Sequence, residues 1–290
     1  MIGLSAGSAA AGASTRATAS VPSVLTTPTQ IAHTADGAVG YRELGKGSPI
    51  VLITGFGATM DEWTPALVDG LAAHHRVVLL DNAGIGDTAS PPGTLTISAM
   101  AQQTSALITS LELGRTAVLG WSMGGLIAQA LAVQDPKQVS KLVLAATQAG
   151  NGHALPVPPA AAALINSANP LTVVSVLFPA DHKASARAYV AAILQYTHFY
   201  QSSATVKEAQ NFAIAAWFGG MVAEGREVGR LRLPTLVADG EKDRLDPVAN
   251  DHQLANLIKG AQLVLYPDAG HGFLFQDTTT FVQRVDTLLR

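Results

Sequence analysis

The sequence contains no cysteine, which excludes structural disulfides, a thiol nucleophile and thiolate metal sites throughout its 290 residues. Charge is also scarce: 13% of residues are Asp, Glu, Lys or Arg, and the net charge is −3. That balance offers no basic surplus for nucleic acid or an acidic membrane surface. No apolar run after the first residues is long enough to span a bilayer. His153, His182, His198 and His252 lack metal-ligand spacing, while His74 and His75 precede a strand candidate and read as surface residues. Gly84-x-Gly86 is too short and wrongly placed for a dinucleotide loop, so no cofactor and no metal is expected.

What is present is apolar: a 48% hydrophobic chain of this length suits one large core better than two equal domains. Strand candidates fall at 39–44, 50–54, 76–80, 116–120, 141–146, 234–238 and 262–266, and most are separated by helical patterns. Residues 31–34, before Asp36-Gly37, add an antiparallel hairpin strand. The pattern predicts an α/β fold with a mostly parallel, doubly wound, eight-stranded sheet. Between Gln148 and Arg230 the alternation stops, and helical stretches such as 184–196 and 206–218 take over. This reads as a helical cap, 149–230, inserted after strand six of a core made from 29–148 and 231–290. Apolar cap residues, Trp217 and Phe218 among them, suggest a substrate with an apolar portion.

Residues 1–28 are rich in Ala, Ser, Thr and Gly, with Arg16 the only charge. They read as a flexible tail or a remnant export signal: Ala17-Thr18-Ala19 has the form of a cleavage site, but the basic start is missing. The chain is then cytoplasmic, or exported if 1–19 is a truncated signal.

The most informative segment is Gly120-Trp121-Ser122-Met123-Gly124. A β-branched and apolar run precedes it and a helical pattern follows, the strand–turn–helix setting of a nucleophile elbow. Two loops at the carboxyl ends of later strand candidates supply the other groups. Asp243 follows 234–238, and His271 follows 262–266, flanked by Gly270 and Gly272. Serine, acid, then histidine is the order this architecture demands, and the carboxyl edge of the sheet is where such sites gather.

With the segments Leu52 to Gly57, Leu80 to Thr88, the elbow, Gly240 to Pro247 and Gly270-His271, the chain resembles the α/β-hydrolases of the esterase, lipase and cofactor-free haloperoxidase-like group. The resemblance covers nearly everything after about residue 30. It favours Asp243 over the neighbouring Asp239, Glu241 and Asp246, because Gly240-x-x-Asp243 followed by Pro247 matches the family. It also implies an oxyanion hole formed by the backbone N–H groups of Phe56 and Met123. Phe56, Trp217 and Phe218 are the candidate substrate-contacting side chains. Two departures stand out: Thr54 occupies a position where many relatives carry His, and Asn82-Ala83 replaces an Arg-containing form.

The chemistry implied is acyl transfer to Ser122, with His271 as base and Asp243 orienting it. The expected reaction is hydrolysis of a carboxylic ester, lactone or thioester of a small to medium, partly apolar molecule. Cofactor-free perhydrolysis or haloperoxidation, carbon–carbon bond hydrolysis and a hydrolase-like small-molecule receptor are the alternatives. The expected partner is a small-molecule substrate, with no nucleic acid and no membrane span; nothing in the chain specifies an oligomeric state.

Overall fold

The protein is described by a computed structural model covering residues 23–91, 93–197 and 202–290. The tail and export-signal expectation for 1–22, and His198, fall outside those residues. Eight strands are described: β1 (Gln30–Thr34), β2 (Gly37–Leu44), β3 (Pro49–Ile53), β4 (Arg76–Leu80), β5 (Thr116–Trp121), β6 (Val139–Ala145), β7 (Thr235–Gly240) and β8 (Gln262–Tyr266). They form one sheet in the order β1-β2-β4-β3-β5-β6-β7-β8. The hairpin β1–β2 and the β2–β4 pair are antiparallel, and β3 to β8 are parallel.

The helices are α1 (Pro65–Ala72), α2 (Ile97–Ser110), α3 (Met123–Gln134), α4 (Pro159–Ile165), α5 (Pro170–Leu177), α6 (Lys183–Ile193), α7 (Ala204–Phe218), α8 (Ala223–Glu227), α9 (Ala249–Leu257), α10 (Phe273–Gln276) and α11 (Thr278–Leu289). Successive strand residues point to opposite faces, so the continuous apolar run of β3 feeds two cores. Ile50 and Leu52 join Leu67, Leu71, Phe281 and Val285 from α1 and α11. Val51 and Ile53 join Met100, Ile127, Leu131 and Leu254 from α2, α3 and α9. Helices cover both faces, which is why the strands show no hydrophobic–polar alternation. The doubly wound α/β class read from the sequence is the one observed.

From β3 the chain runs to β4 on one side and then crosses to β5 on the other. The carboxyl ends of β3 and β5 therefore flank the switch point, where the crevice of an open α/β sheet lies. Helices α4 to α8 occupy the connection between β6 and β7 and are tied down over this crevice. The Tyr196 hydroxyl donates to Trp63 O at 2.7 Å, Ser202 Oγ donates to Gly57 O at 2.8 Å, and Gly57 N–H donates to Gln210 Oε1 at 2.8 Å.

Residues 23–28, assigned to the tail on composition, begin the packed structure instead. Val24 is buried, Val24 N–H donates to Asp69 Oδ1 at 2.8 Å, and the Ser23 hydroxyl donates to Asp69 Oδ2 at 2.7 Å. Asp69 on α1 is the anchor that composition could not reveal. Among the described residues no helix is long and apolar enough to cross a membrane.

Candidate active site

Ser122 stands between β5 and α3 with φ 57° and ψ −122°. Such a conformation is costly for a non-glycine residue and persists only where its surroundings over-determine it. They do so here. Ser122 N–H donates to Ala145 O at 2.9 Å, and Ser122 O accepts from Gly125 N–H at 2.9 Å and from the Thr147 hydroxyl at 2.8 Å. The glycines on either side are compulsory for steric reasons. A Cβ on Gly120 would lie 2.2 Å from Gly124 O, and one on Gly124 would lie 2.0 Å from Ile53 O.

Of the acids in the β7–α9 loop, Asp243 is the one whose carboxylate reaches His271. Asp243 Oδ2 lies 2.6 Å from His271 Nδ1, with both side chains buried. Asp243 Oδ1 accepts the N–H groups of Leu245 and Asp246 at 2.6 and 3.0 Å, so every carboxylate oxygen is held. The two loops are joined by main-chain bonds, Glu241 N–H to Tyr266 O and Lys242 N–H to Ala269 O, both at 2.9 Å. Burial pulls the His271 pKa down, but the charge and hydrogen bond of Asp243 outweigh it and raise the value above the ordinary 6.5.

Trp121, given no role by the sequence reading, is tied to His271. Its Nε1–H donates to His271 O at 3.0 Å, and its ring centroid lies 5.8 Å from the imidazole. Its place next to the nucleophile was the available signal. Thr54, one departure from the family pattern, and Asn82, the first residue of the other, Asn82-Ala83, are bonded to each other. Asn82 Nδ2–H donates to Thr54 O at 3.0 Å and to Thr54 Oγ1 at 3.1 Å, and the Thr54 hydroxyl donates to Ala58 O at 3.2 Å. Together they brace both ends of the turn that carries Phe56. That turn rests on the elbow, since a Cβ on Gly55 would approach Ser122 Cβ to 3.2 Å.

Ser122, His271, Phe56 and Met123 line one cavity of about 180 Å³. A cavity of about 150 Å³ accommodates benzene, so this one suits a small or medium group. Phe218 contributes to its wall. Trp217 does not, contrary to expectation: its fully buried indole packs on Gly150 and donates from Nε1 to Gln148 O at 3.4 Å. Adjacent positions on α7 face different ways, and only the second reaches the cavity. His75, read as a surface residue, is buried, with Nε2 2.9 Å from Asp286 Oδ1.

Behind Asp243, the carboxyl groups of Asp239, Asp246 and Asp251 lie with one oxygen of each within 4.8 Å of the others, all buried. Burial, reinforced by repulsion from Asp243 and from one another, lifts Asp239 well above the carboxylate range. The same causes push Asp246 to about 7 and Asp251 to about 9. Asn250 Nδ2–H donates to Asp246 Oδ1 at 2.6 Å and also bonds Gln148 Oε1. Burial and mutual repulsion thus favour protonated carboxyls over three adjacent negative charges.

The parallel sheet, the strained serine after β5, the acid after β7 and the histidine after β8 coincide with a family match. The model of the alpha/beta hydrolase fold family covers residues 48–278. The chain belongs to the α/β-hydrolase family. Among curated relatives of this α/β-hydrolase, a Synechocystis protein with the provisional name non-heme chloroperoxidase is 30% identical over 253 residues, spanning 80% of this chain and 87% of the relative. The 2-hydroxy-6-oxo-2,4-heptadienoate hydrolase of Pseudomonas putida is 25% identical over 262 residues, 85% of this chain and 91% of that one. A solved alpha/beta hydrolase fold protein from Chitinophaga pinensis superposes with a TM-score of 0.81 at 27% identity, covering 91% of this chain and 98% of its own. The relatives thus span several chemistries, and the protein is a hydrolase-family enzyme.

Proposed function

We propose that the protein is a serine hydrolase that cleaves a carboxylic ester, lactone or thioester of a small to medium, partly apolar substrate. The observation that carries this reading is the buried 2.6 Å Asp243–His271 pair opening onto the same cavity as the strained Ser122. In the proposed cycle Ser122 Oγ attacks the carbonyl carbon while His271 takes the hydroxyl proton. Asp243 holds the imidazole at Nδ1 and stabilises its cationic form. The N–H groups of Phe56 and Met123 receive the oxyanion. Collapse of the intermediate breaks the ester C–O bond, and His271 returns the proton to the departing alkoxide. Water, deprotonated by His271, then attacks the acyl-enzyme, releasing the acid and restoring Ser122.

Residues 149–230 serve in this reading as a cap that keeps water from the reacting centre. The apolar walls of the cavity, among them Leu126, Leu177 and Phe218, support a substrate with hydrocarbon arms. A second reading, perhydrolysis, draws support from the name of the Synechocystis relative. There, hydrogen peroxide replaces water in the second half and yields the peracid.

The test is steady-state hydrolysis of p-nitrophenyl esters from acetate to palmitate, with Ser122→Ala as control. Repeated turnover on short and medium chains, lost in the variant, is expected. Absence of Ser122-dependent turnover on every ester refutes ester hydrolysis. Adding peroxide separates the second reading, which requires peracid to form at the expense of carboxylic acid.

A further inference from the structure

The cavity is not uniformly apolar. Its two walls derive from opposite faces of the sheet: Trp121 and Leu177 pack with one core, Phe56, Leu126 and Phe218 with the other. Two acidic residues also line the space, Asp246, which is already bonded to Asn250, and, on the Trp121–Leu177 side, Glu62. Its neighbours Trp63 and Tyr189 belong to the same core, and the Tyr189 hydroxyl donates to Glu62 O at 3.2 Å.

Glu62 has a local structural task. Thr59 N–H donates to Glu62 Oε1 at 3.4 Å while the Thr59 hydroxyl caps the 3-10 turn Met60–Glu62, a reciprocal capping box. That task requires an acceptor at this position, but it does not require the acceptor to line a cavity that also holds Ser122. A solvent-facing carboxyl would cap equally well without the cost of an apolar setting. The cap and a hydrogen bond between the Tyr189 hydroxyl and the Glu62 side chain take part of the accepting capacity and leave the rest, because a carboxylate offers about four lone-pair sites. What the cap does supply is orientation, since a tethered carboxyl presents its remaining oxygen at a fixed place.

We infer that Glu62 is a substrate-recognition residue and that the substrate carries a free hydroxyl on the arm that lies along the Trp121–Leu177 wall. The inference rests on the serine-hydrolase reading of the same cavity. Charge selects the hydroxyl over other polar groups. An anionic substituent would meet Glu62 itself and Asp246. A cationic one would compete with the charge of Lys207, which lies against Gly57 and already acts on Glu62. A neutral donor suits both. Burial lifts the Glu62 pKa to about 7, so on the alkaline side of neutrality, where the esters are assayed, the carboxylate is a charged acceptor for a neutral hydroxyl.

The test compares matched esters: methyl butyrate, valerate and hexanoate against their 3-, 4- and 5-hydroxy forms, and butyl butyrate against 3-hydroxypropyl butyrate. In the wild type at least one hydroxylated member should exceed its plain partner about tenfold in kcat/KM, the scale of one hydrogen bond to a charged acceptor. Glu62→Leu should bring that ratio to about one. Glu62→Gln keeps the capping acceptor and should lower the ratio severalfold, so it serves if the Leu variant does not fold.

The same pairs are titrated onto Ser122→Ala by tryptophan fluorescence, Trp121 lying in the cavity. Loss of turnover on every ester would sink the hydrolase reading, while the binding ratio would still report on Glu62. No hydroxyl preference in any wild-type pair, or a preference untouched by both Glu62 variants, overturns the inference.

Discussion

The side-chain amide of Asn82 holds Thr54 at two points, its main-chain carbonyl at 3.0 Å and its hydroxyl at 3.1 Å, both buried. Thr54 and the pair Asn82-Ala83 are the two places where the sequence departs from the family pattern it resembles. Together Thr54 and Asn82 form one brace for the turn that carries Phe56, whose N–H is the proposed oxyanion donor.

Removing that brace should therefore damage the transition state more than substrate binding. Asn82→Ala is expected to lower kcat about tenfold with KM changed by less than about threefold, a fraction of the roughly 3 kcal/mol that one oxyanion donor contributes. Asn82→Asp, similar in size but without the donor, should be at least as damaging. Ester kinetics decide the matter: unchanged kcat in both variants would show that the turn is held elsewhere.

The pH profile should report the Asp243–His271 pair. In the proposed cycle His271 acts as a base only when neutral, and its pKa is raised above 6.5 because the Asp243 charge and hydrogen bond outweigh burial. Activity should accordingly rise with pH, with a midpoint of kcat/KM above 6.5. Asp243→Asn removes the raising influence and supports the wrong tautomer. The midpoint should move down, and kcat should fall on the order of 10⁴-fold, as for amide replacement in a serine-protease triad. A wild-type midpoint below 6 would contradict this account.

The buried acids behind Asp243 make a prediction about stability. Folded Asp251 keeps its proton to about pH 9, through burial and then the Asp246 charge, whereas the unfolded chain loses it near an ordinary carboxylate pKa of about 4. Between those values the folded state binds more protons than the unfolded state, so this group makes stability fall as pH rises. Asp251→Asn removes the titration. Relative to wild type it should gain at least about 1.4 kcal/mol more at pH 8 than at pH 5, one pKa unit's worth. Denaturant unfolding at the two pH values measures this, and equal differences would mean that Asp251 is ionised in the fold.

Much of the architecture was written in short-range patterns. Strands β4 and β8 fall on the residues read from the sequence, because an apolar run bounded by polar or glycine residues has few other ways to bury itself. The others shift by one or two residues at their ends: β5 extends to Trp121, and β7 to Gly240. The elbow was legible for a stronger reason. A serine at φ 57° needs neighbours without side chains, and Gly120 and Gly124 announce that need within five residues.

Other features depend on which residues the fold brings together across long separations. Asp69 reaches back to Val24, Trp121 ties down His271 across 150 positions, and Asn82 meets Thr54 from the next strand. None of these pairings has a local signature. The exclusion of Trp217 from the cavity and the admission of Phe218 depended on how α7 rotates against the sheet, and Glu62 entered the cavity because its turn lies beside Tyr189. The sequence alone determined the strand–helix alternation, the elbow and the order Ser122, Asp243, His271, because local sterics and hydrophobic periodicity act over a few residues. Tertiary structure alone decided which acid faces the imidazole, what braces the turn carrying Phe56 and which side chains line the cavity, because those contacts arise from packing between elements distant in the chain.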